Sequence, residues 1–121
     1  MSRRGDIVLV ALPGDFGKPR PAVVVQSDIL TEEQVASTIV CPLTSTLAEA
    51  PSYRLRIQPG PNSGLARVSE IMADKVTAVP RSRLRATIGR LDADQTRELD
   101  RAILVVLGIG QRLPAQDEGS A

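Results

Sequence analysis

The chain has 121 residues, 15 Lys and Arg against 14 Asp and Glu for a formal net charge of +1, and a hydrophobic fraction of 42%. The length matches one domain of the usual ~100–150 residues, and the composition is that of a globular protein rather than a disordered or fibrous one. Histidine is missing and Cys41 is the single cysteine, which excludes an intrachain disulfide and a Cys/His zinc cluster; a charged Met1–Asp6 start unlike a signal peptide and no run of ~20 apolar residues for a membrane helix make a cytoplasmic protein without metal or cofactor the expectation.

Residues 6–12 are β-branched and apolar and end at the turn signature Pro13-Gly14-Asp15, which predicts a first strand. Gly17-Lys18-Pro19-Arg20-Pro21 then runs into Ala22-Val23-Val24-Val25. Two prolines restrict the backbone around Arg20 toward extended conformations and hold it at a strand mouth. Residues 21–26 and 37–42 predict two more strands, with a short helical turn inside 28–35. The alternation Tyr53-Arg54-Leu55-Arg56-Ile57 is the period of a half-buried strand with its arginines toward solvent. Residues 59–64 read as a hairpin loop into a strand at 65–69. Short strands at 75–79 and 86–88 follow, separated by a helical turn within 80–84.

One long helix closes the pattern. Asp92 caps it and Gln95, three residues on, completes a capping box. Leu99, Ala102, Ile103, Val106 and Leu107 recur at helical spacing, and Gly108 is a natural stop. Residues 1–113 are expected to form one domain and the polar segment 114–121 a poorly ordered tail. The fold class is mainly β with a C-terminal helix, a strongly bent antiparallel sheet or small barrel.

Charge is uneven along the chain: residues 52–90 hold eight basic side chains against two acidic ones, whereas 91–121 hold three against six. A basic middle suits a polyanion, with an ordinary solvated face as the competing reading. Phe16 and Tyr53 are the only aromatics, so a row of base-stacking rings is excluded. Arg20 beside the hydroxyl-bearing strand end Cys41-Pro42-Leu43-Thr44-Ser45 is equipment for holding a phosphodiester. Cys41 reads as an inert small hydrophobe. Gly14-Asp15-Phe16-Gly17-Lys18 has the wrong spacing for a phosphate loop, with Pro19 where Ser or Thr belongs.

Arg4-Gly5-Asp6-Ile7-Val8-Leu9-Val10, residues 17–25, Pro42-Leu43-Thr44-Ser45, Gly64-Leu65, residues 69–76 and Ile88-Gly89-Arg90-Leu91 together resemble, in order and spacing, the MazF/PemK toxin family, over roughly residues 4–107. The resemblance implies a small SH3-like barrel of the MazF/PemK/CcdB toxin type. It also implies a homodimer that cleaves single-stranded RNA without a metal and is neutralised by a cognate antitoxin peptide. RNA carries its own nucleophile in the 2′-hydroxyl, so the enzyme must align it, neutralise the phosphorane and assist the leaving 5′-oxygen. Arg20 suits the charge that develops in that transition state. Thr44 matches the family's second essential residue and offers one hydroxyl to a phosphate oxygen or to the 2′-hydroxyl. Asp74 is the third catalytic candidate, at a position where the family often has an aspartate, although the arginine that some members place two residues earlier is Met72 here.

The remaining RNA contacts are assigned to Phe16, Lys18, Ser45, Arg54, Arg81 and Arg83, with Ser27 as a lesser helper and Asp15 as another candidate acid or base. An acidic antitoxin segment would meet the arginines at 54, 56, 81, 83 and 85. Each assignment has a structural competitor. Arg20 could pair with a carboxylate at a strand end, Thr44 could bond the backbone of its own turn, and a structural role for Asp74 outweighs a catalytic one. Two other functions stand beside the nuclease: a non-enzymatic gyrase poison with the same barrel, and a catalytically dead binding module.

Overall fold

A computed structural model describes residues 2–12 and 18–110. Among these the order is β1 (Asp6–Val10), β2 (Arg20–Val24), α1 (Asp28–Glu32), β3 (Ser37–Thr44), β4 (Arg54–Ile57), β5 (Ser69–Met72), β6 (Thr77–Pro80), β7 (Leu84–Arg90) and α2 (Ala93–Leu107). Single 3₁₀ turns lie at Ala73–Lys75 and Arg81–Arg83.

All strand pairs are antiparallel along the path β4-β5-β3-β2-β1-β7, and β6 pairs the first half of β3. β3 makes this possible. Residues 37–40 face β6, 40–42 face β2 and 43–44 face β5, so one eight-residue strand bends to serve three partners. The path ends at β4 and β7 without joining them, which leaves a curled, barrel-like sheet that is not closed.

Because successive side chains of a strand point to opposite faces, the Val-rich runs feed two cores. Ile7, Val23 and Cys41 join Ile57 and Ile71 beneath α2, which adds Leu99 and Ala102. Val8, Val10, Ala22, Val24, Val40 and Val79 form the second cluster. Covered on both faces, the inner stretches of β1 to β3 are unbroken apolar runs instead of alternating ones, and each fully buried Val or Ile contributes about 1.5–3 kcal/mol. Cys41 sits at 0% exposure in the first core; burial pushes its thiol up to about 12.

The N-terminal motif is structural. Arg4 donates through Nε to the Val25 carbonyl at 2.9 Å and pairs with Asp100 of α2 at 2.7 Å. Asp6 of β1 receives Arg90 of β7 at 3.2 Å and 3.1 Å, tying the edge strand β7 to its neighbour.

α2 matches its sequence signals. Asp92 accepts from the Gln95 amide at 2.8 Å, the Gln95 side chain accepts from the Asp92 amide at 2.9 Å, and Gly108 ends the helix at φ 73°. Leu107, expected on the buried face, is instead 56% exposed, beside the exposed Leu104 and Ile109.

The strand expected at 65–69 begins only at Ser69, because the β4–β5 register closes at Ile57 opposite Ser69 and leaves 58–68 as a loop. Gly64 adopts φ 72° there and its amide donates to the Gly60 carbonyl at 2.8 Å, after which Leu65 turns into the core. The loop lies directly on β7. A Cβ on Gly64 would stand 1.9 Å from the Ile88 carbonyl oxygen, and one on Gly89 2.2 Å from that of Ser63. The strand expected at 75–79 starts at Thr77, since residues 73–75 form a 3₁₀ turn, and the one expected at 86–88 extends over the whole of β7. The tail expected at 114–121 lies outside the described residues. No described helix is long and apolar enough to cross a membrane.

Candidate active site

Arg20 opens β2 opposite Val10 of β1, held between Pro19 and Pro21. Across β2 and β3, Ala22 faces Pro42. The same register carried two residues further sets Arg20 against Thr44, and directly opposed residues of antiparallel strands share a face. Both side chains line one cleft of about 250 Å³, with Leu12, Pro42, Met72 and Thr77 among its other walls. A larger groove of about 480 Å³ lies beside the loop at 59–63. The larger groove also has a cation and a hydroxyl, Arg90 and Ser63, but the smaller cleft is the candidate because it joins the proline-held Arg20 and the strand-end Thr44 over a mostly apolar lining.

Thr44 is half-buried, and its Oγ1 accepts a hydrogen bond from the Thr46 amide at 3.1 Å. That is the turn role, and it does not compete with a ligand role. The amide uses one lone pair, while the hydroxyl proton remains to be donated. The turn fixes the oxygen that a phosphate would meet.

Asp74 sits in the 3₁₀ turn after β5, two residues past the cleft-lining Met72. Arg54 of β4 engages it from the side, Nε to Oδ1 and Nη2 to Oδ2, both at 3.2 Å. The guanidinium holds the Asp74 carboxyl below the ordinary carboxylate range against a smaller opposing effect of burial. The same bond raises Arg54. Met72 puts a thioether in the cleft wall, so the floor is apolar there.

Lys18 and Ser45 are exposed next to the two cleft residues in sequence, two before Arg20 and one after Thr44. Arg83 is exposed, and its carbonyl accepts from the Ala11 amide at 3.0 Å, next to the cleft-lining Leu12. Arg81 lines a different groove with Thr38, Arg85 and Thr87. Ser27 caps α1, accepting from the Ile29 amide at 3.2 Å. Phe16 and Asp15 lie outside the described residues.

Glu70 escaped the sequence reading. It is 3% exposed, and its carboxylate accepts from the amides of Ala48 at 2.9 Å and Glu49 at 3.3 Å. Arg56, its cross-strand partner, stands 3.5 Å away. Led by the Ala48 amide, these donors hold the Glu70 carboxyl below its usual range although burial pushes the other way. Glu70 thereby anchors the chain that leaves Thr44, including Glu49 at φ 56°. The sequence signal was an acid opposite Arg56, and it becomes readable only once β5 is placed at 69–72.

Comparison with known proteins agrees with this fold. Residues 3–107 match the model of the PemK-like, MazF-like toxin of type II toxin-antitoxin systems. The chain is 47% identical over 108 residues to a probable endoribonuclease MazF of Mycolicibacterium smegmatis, covering 88% of this chain and 97% of that protein. In fold it is similar to the Mycobacterium tuberculosis toxin MazF-mt6 at a TM-score of 0.75, with 23% identity over 88% of this chain and 99% of that one. It is also similar to a mycobacterial endoribonuclease solved with its cognate antitoxin, at a TM-score of 0.74 and 18% identity over 93% of this chain and 100% of that one. A bent, mainly antiparallel sheet backed by a C-terminal helix, matched by the family model over nearly all its length, makes this chain a member of the PemK-like, MazF-like toxin family of type II toxin-antitoxin systems.

Proposed function

We propose that this chain is an endoribonuclease toxin that cuts single-stranded RNA by transesterification, with Arg20 and Thr44 as its catalytic pair. The observation that carries this reading is that both line one cleft. The ribose 2′-oxygen attacks the adjacent phosphorus and gives up its proton to solvent water, the bond from phosphorus to the 5′-oxygen breaks, and that oxygen takes a proton from solvent water. The ends are a 2′,3′-cyclic phosphate and a 5′-hydroxyl. Arg20 neutralises the growing charge on the non-bridging oxygens; a guanidinium offers several hydrogen-bond donors and a delocalised charge but gives up a proton poorly, so its part is electrostatic. Thr44 donates its hydroxyl proton to one of those oxygens. Since the nucleophile comes from the substrate and the charge is met by Arg20, the step as written requires no metal.

Asp74, ionised and engaged by Arg54, is a weak base, and its contribution is to hold the wall that carries Met72. Lys18, Ser45, Arg81 and Arg83 are exposed donors for the RNA backbone, and Phe16 is assigned to a base. Residues 1–113 act as one cytoplasmic toxin domain that pairs as a homodimer through surfaces such as the exposed Leu104, Leu107 and Ile109. A disordered, acidic antitoxin segment is the inhibitor, meeting exposed arginines such as Arg81, Arg83 and Arg85.

The test is to incubate the purified chain and Arg20→Ala with a defined long RNA in EDTA and to map the new ends. Metal-independent cyclic phosphate ends from the wild type alone are expected, and a single 2′-deoxy nucleotide at the cut should block the reaction. Intact RNA together with trapped cleavage of supercoiled DNA would support a gyrase poison instead.

A further inference from the structure

We infer that the apolar half of the cleft is a base subsite, in which the nucleobase beside the scissile phosphate packs on Met72 and Pro42 and is read by the hydroxyl of Thr77. The inference rests on the endoribonuclease reading above. Among the described residues, three polar side chains line the cleft, Arg20, Thr44 and Thr77, and the rest of that lining is apolar. In the endoribonuclease reading Arg20 and Thr44 serve the phosphate. Thr77 is left over, and an exposed strand hydroxyl over an apolar floor suits the polar edge of a flat, apolar-faced ligand.

Its placement is set by the sheet. Thr77 of β6 stands opposite Val40 of β3, and Val40 lines the same cleft, so the two share a face. Met72 enters from β5, where it faces Arg54. Two β-strands that do not pair with each other thus supply the two walls, joined by the turn at Ala73–Lys75.

The floor chemistry follows from composition. The whole chain has one Phe, one Tyr and no Trp, and none of the described residues that line the cleft is aromatic. A base held here therefore packs against aliphatic surface and sulfur. A thioether is polarizable and makes favourable contact with aromatic rings. A hydroxyl both donates and accepts, so Thr77 discriminates modestly among base edges rather than absolutely.

The experiment reads sequence preference, not only rate. Wild type, Thr77→Val, Thr77→Ser and Met72→Ala are each given a randomised RNA pool, and the cut ends are sequenced. Thr77→Val is expected to flatten the base preference at one position flanking the cut by about tenfold, the worth of one hydrogen bond of this kind, with preferences elsewhere unchanged. Thr77→Ser should restore it. Met72→Ala should raise KM with kcat nearly unchanged. In wild type, an abasic nucleotide at the affected position should weaken binding of a 2′-deoxy, uncleavable RNA, a readout that needs no variant to fold. A Thr77→Val profile identical to wild type, or an abasic RNA bound as well as the intact one, overturns the subsite while leaving the nuclease standing. Wild type that leaves every RNA intact overturns both.

Discussion

Arg54 and Asp74 are joined two-on-two, each carboxylate oxygen receiving one guanidinium nitrogen at 3.2 Å. The pair spans β4 and the turn after β5, so an acid that was a catalytic candidate, with a structural role favoured, is tied to an arginine assigned to RNA. Because Arg54 lowers the Asp74 pKa in the folded state, the unfolded chain binds more protons in that window. The stabilisation is complete above the unfolded pKa and fades as pH falls through the folded one. With the Asp74 side chain 31% exposed, its worth is about 0–1 kcal/mol. Asp74→Asn should cost no more than that at pH 7, measured by urea denaturation, and should cut RNA within about tenfold of wild type. A loss of several orders of magnitude with an unchanged fold would make Asp74 the general base for the 2′-hydroxyl proton.

Glu70 should matter more to stability. As a buried acceptor of two loop amides, its replacement in Glu70→Ala leaves those donors unpaired at a cost of about 1–3 kcal/mol. Its pKa is also lowered on folding, so its contribution is present at neutral pH and lost in acid. Denaturation midpoints measured from pH 7 down to pH 3 should fall less steeply for Glu70→Gln than for wild type.

Arg20 and Thr44 should separate by chemistry in single-turnover cleavage. Arg20→Lys keeps a charge but not the fork of donors, and a rate about 10²–10³-fold lower is expected, as for loss of one transition-state donor. Thr44→Val should cost about 10–100-fold, the scale of a hydrogen bond to a charged group, and Thr44→Ser should recover most of it. Circular dichroism should be unchanged in all three.

Gly64 and Gly89 should be intolerant. Alanine at either drives a methyl into a carbonyl of the other segment, at 1.9 Å and 2.2 Å, and Gly64 also needs its positive φ. Each Gly→Ala is expected to destabilise by about 1–3 kcal/mol or more, seen as a lower Tm.

Cys41 should be silent to thiol reagents. Burial pushes its pKa to about 12, so the thiolate that reacts is scarce at any working pH. Alkylation by iodoacetamide at pH 8 should proceed only at the rate of unfolding, and fast labelling of the native protein would contradict the buried placement.

Local patterns carried much of this protein. The start, capping box and stop of α2, the apolar runs of β1 to β3, and the proline-held Arg20 were all legible, because caps, β-branching and proline act within a few residues of chain. Motif blocks were legible as blocks but not as contacts. Asp6 and Arg90 form an ion pair, and Gly64 and Gly89 belong to one close approach, although 84 and 25 positions separate them in the chain. The strand at 65–69 failed for a related reason: Leu65 is apolar enough for a strand, yet the register of β4 on β5 and the left-handed Gly64 fold it inward as a loop residue.

What residue order alone established, then, is which chemistry is present: a fixed guanidinium, a strand-end hydroxyl, no histidine and a valine-built core. Where that chemistry converges was decided by pairing between distant strands. Only the register of β2 on β3 sets Arg20 toward Thr44, and only the bend of β3, shared among three partners, brings Met72 and Thr77 to the same cleft. Alternation along a strand says which side chains share a face, but a shift of one residue in pairing would exchange the faces, and that choice is made by the two cores closing at once.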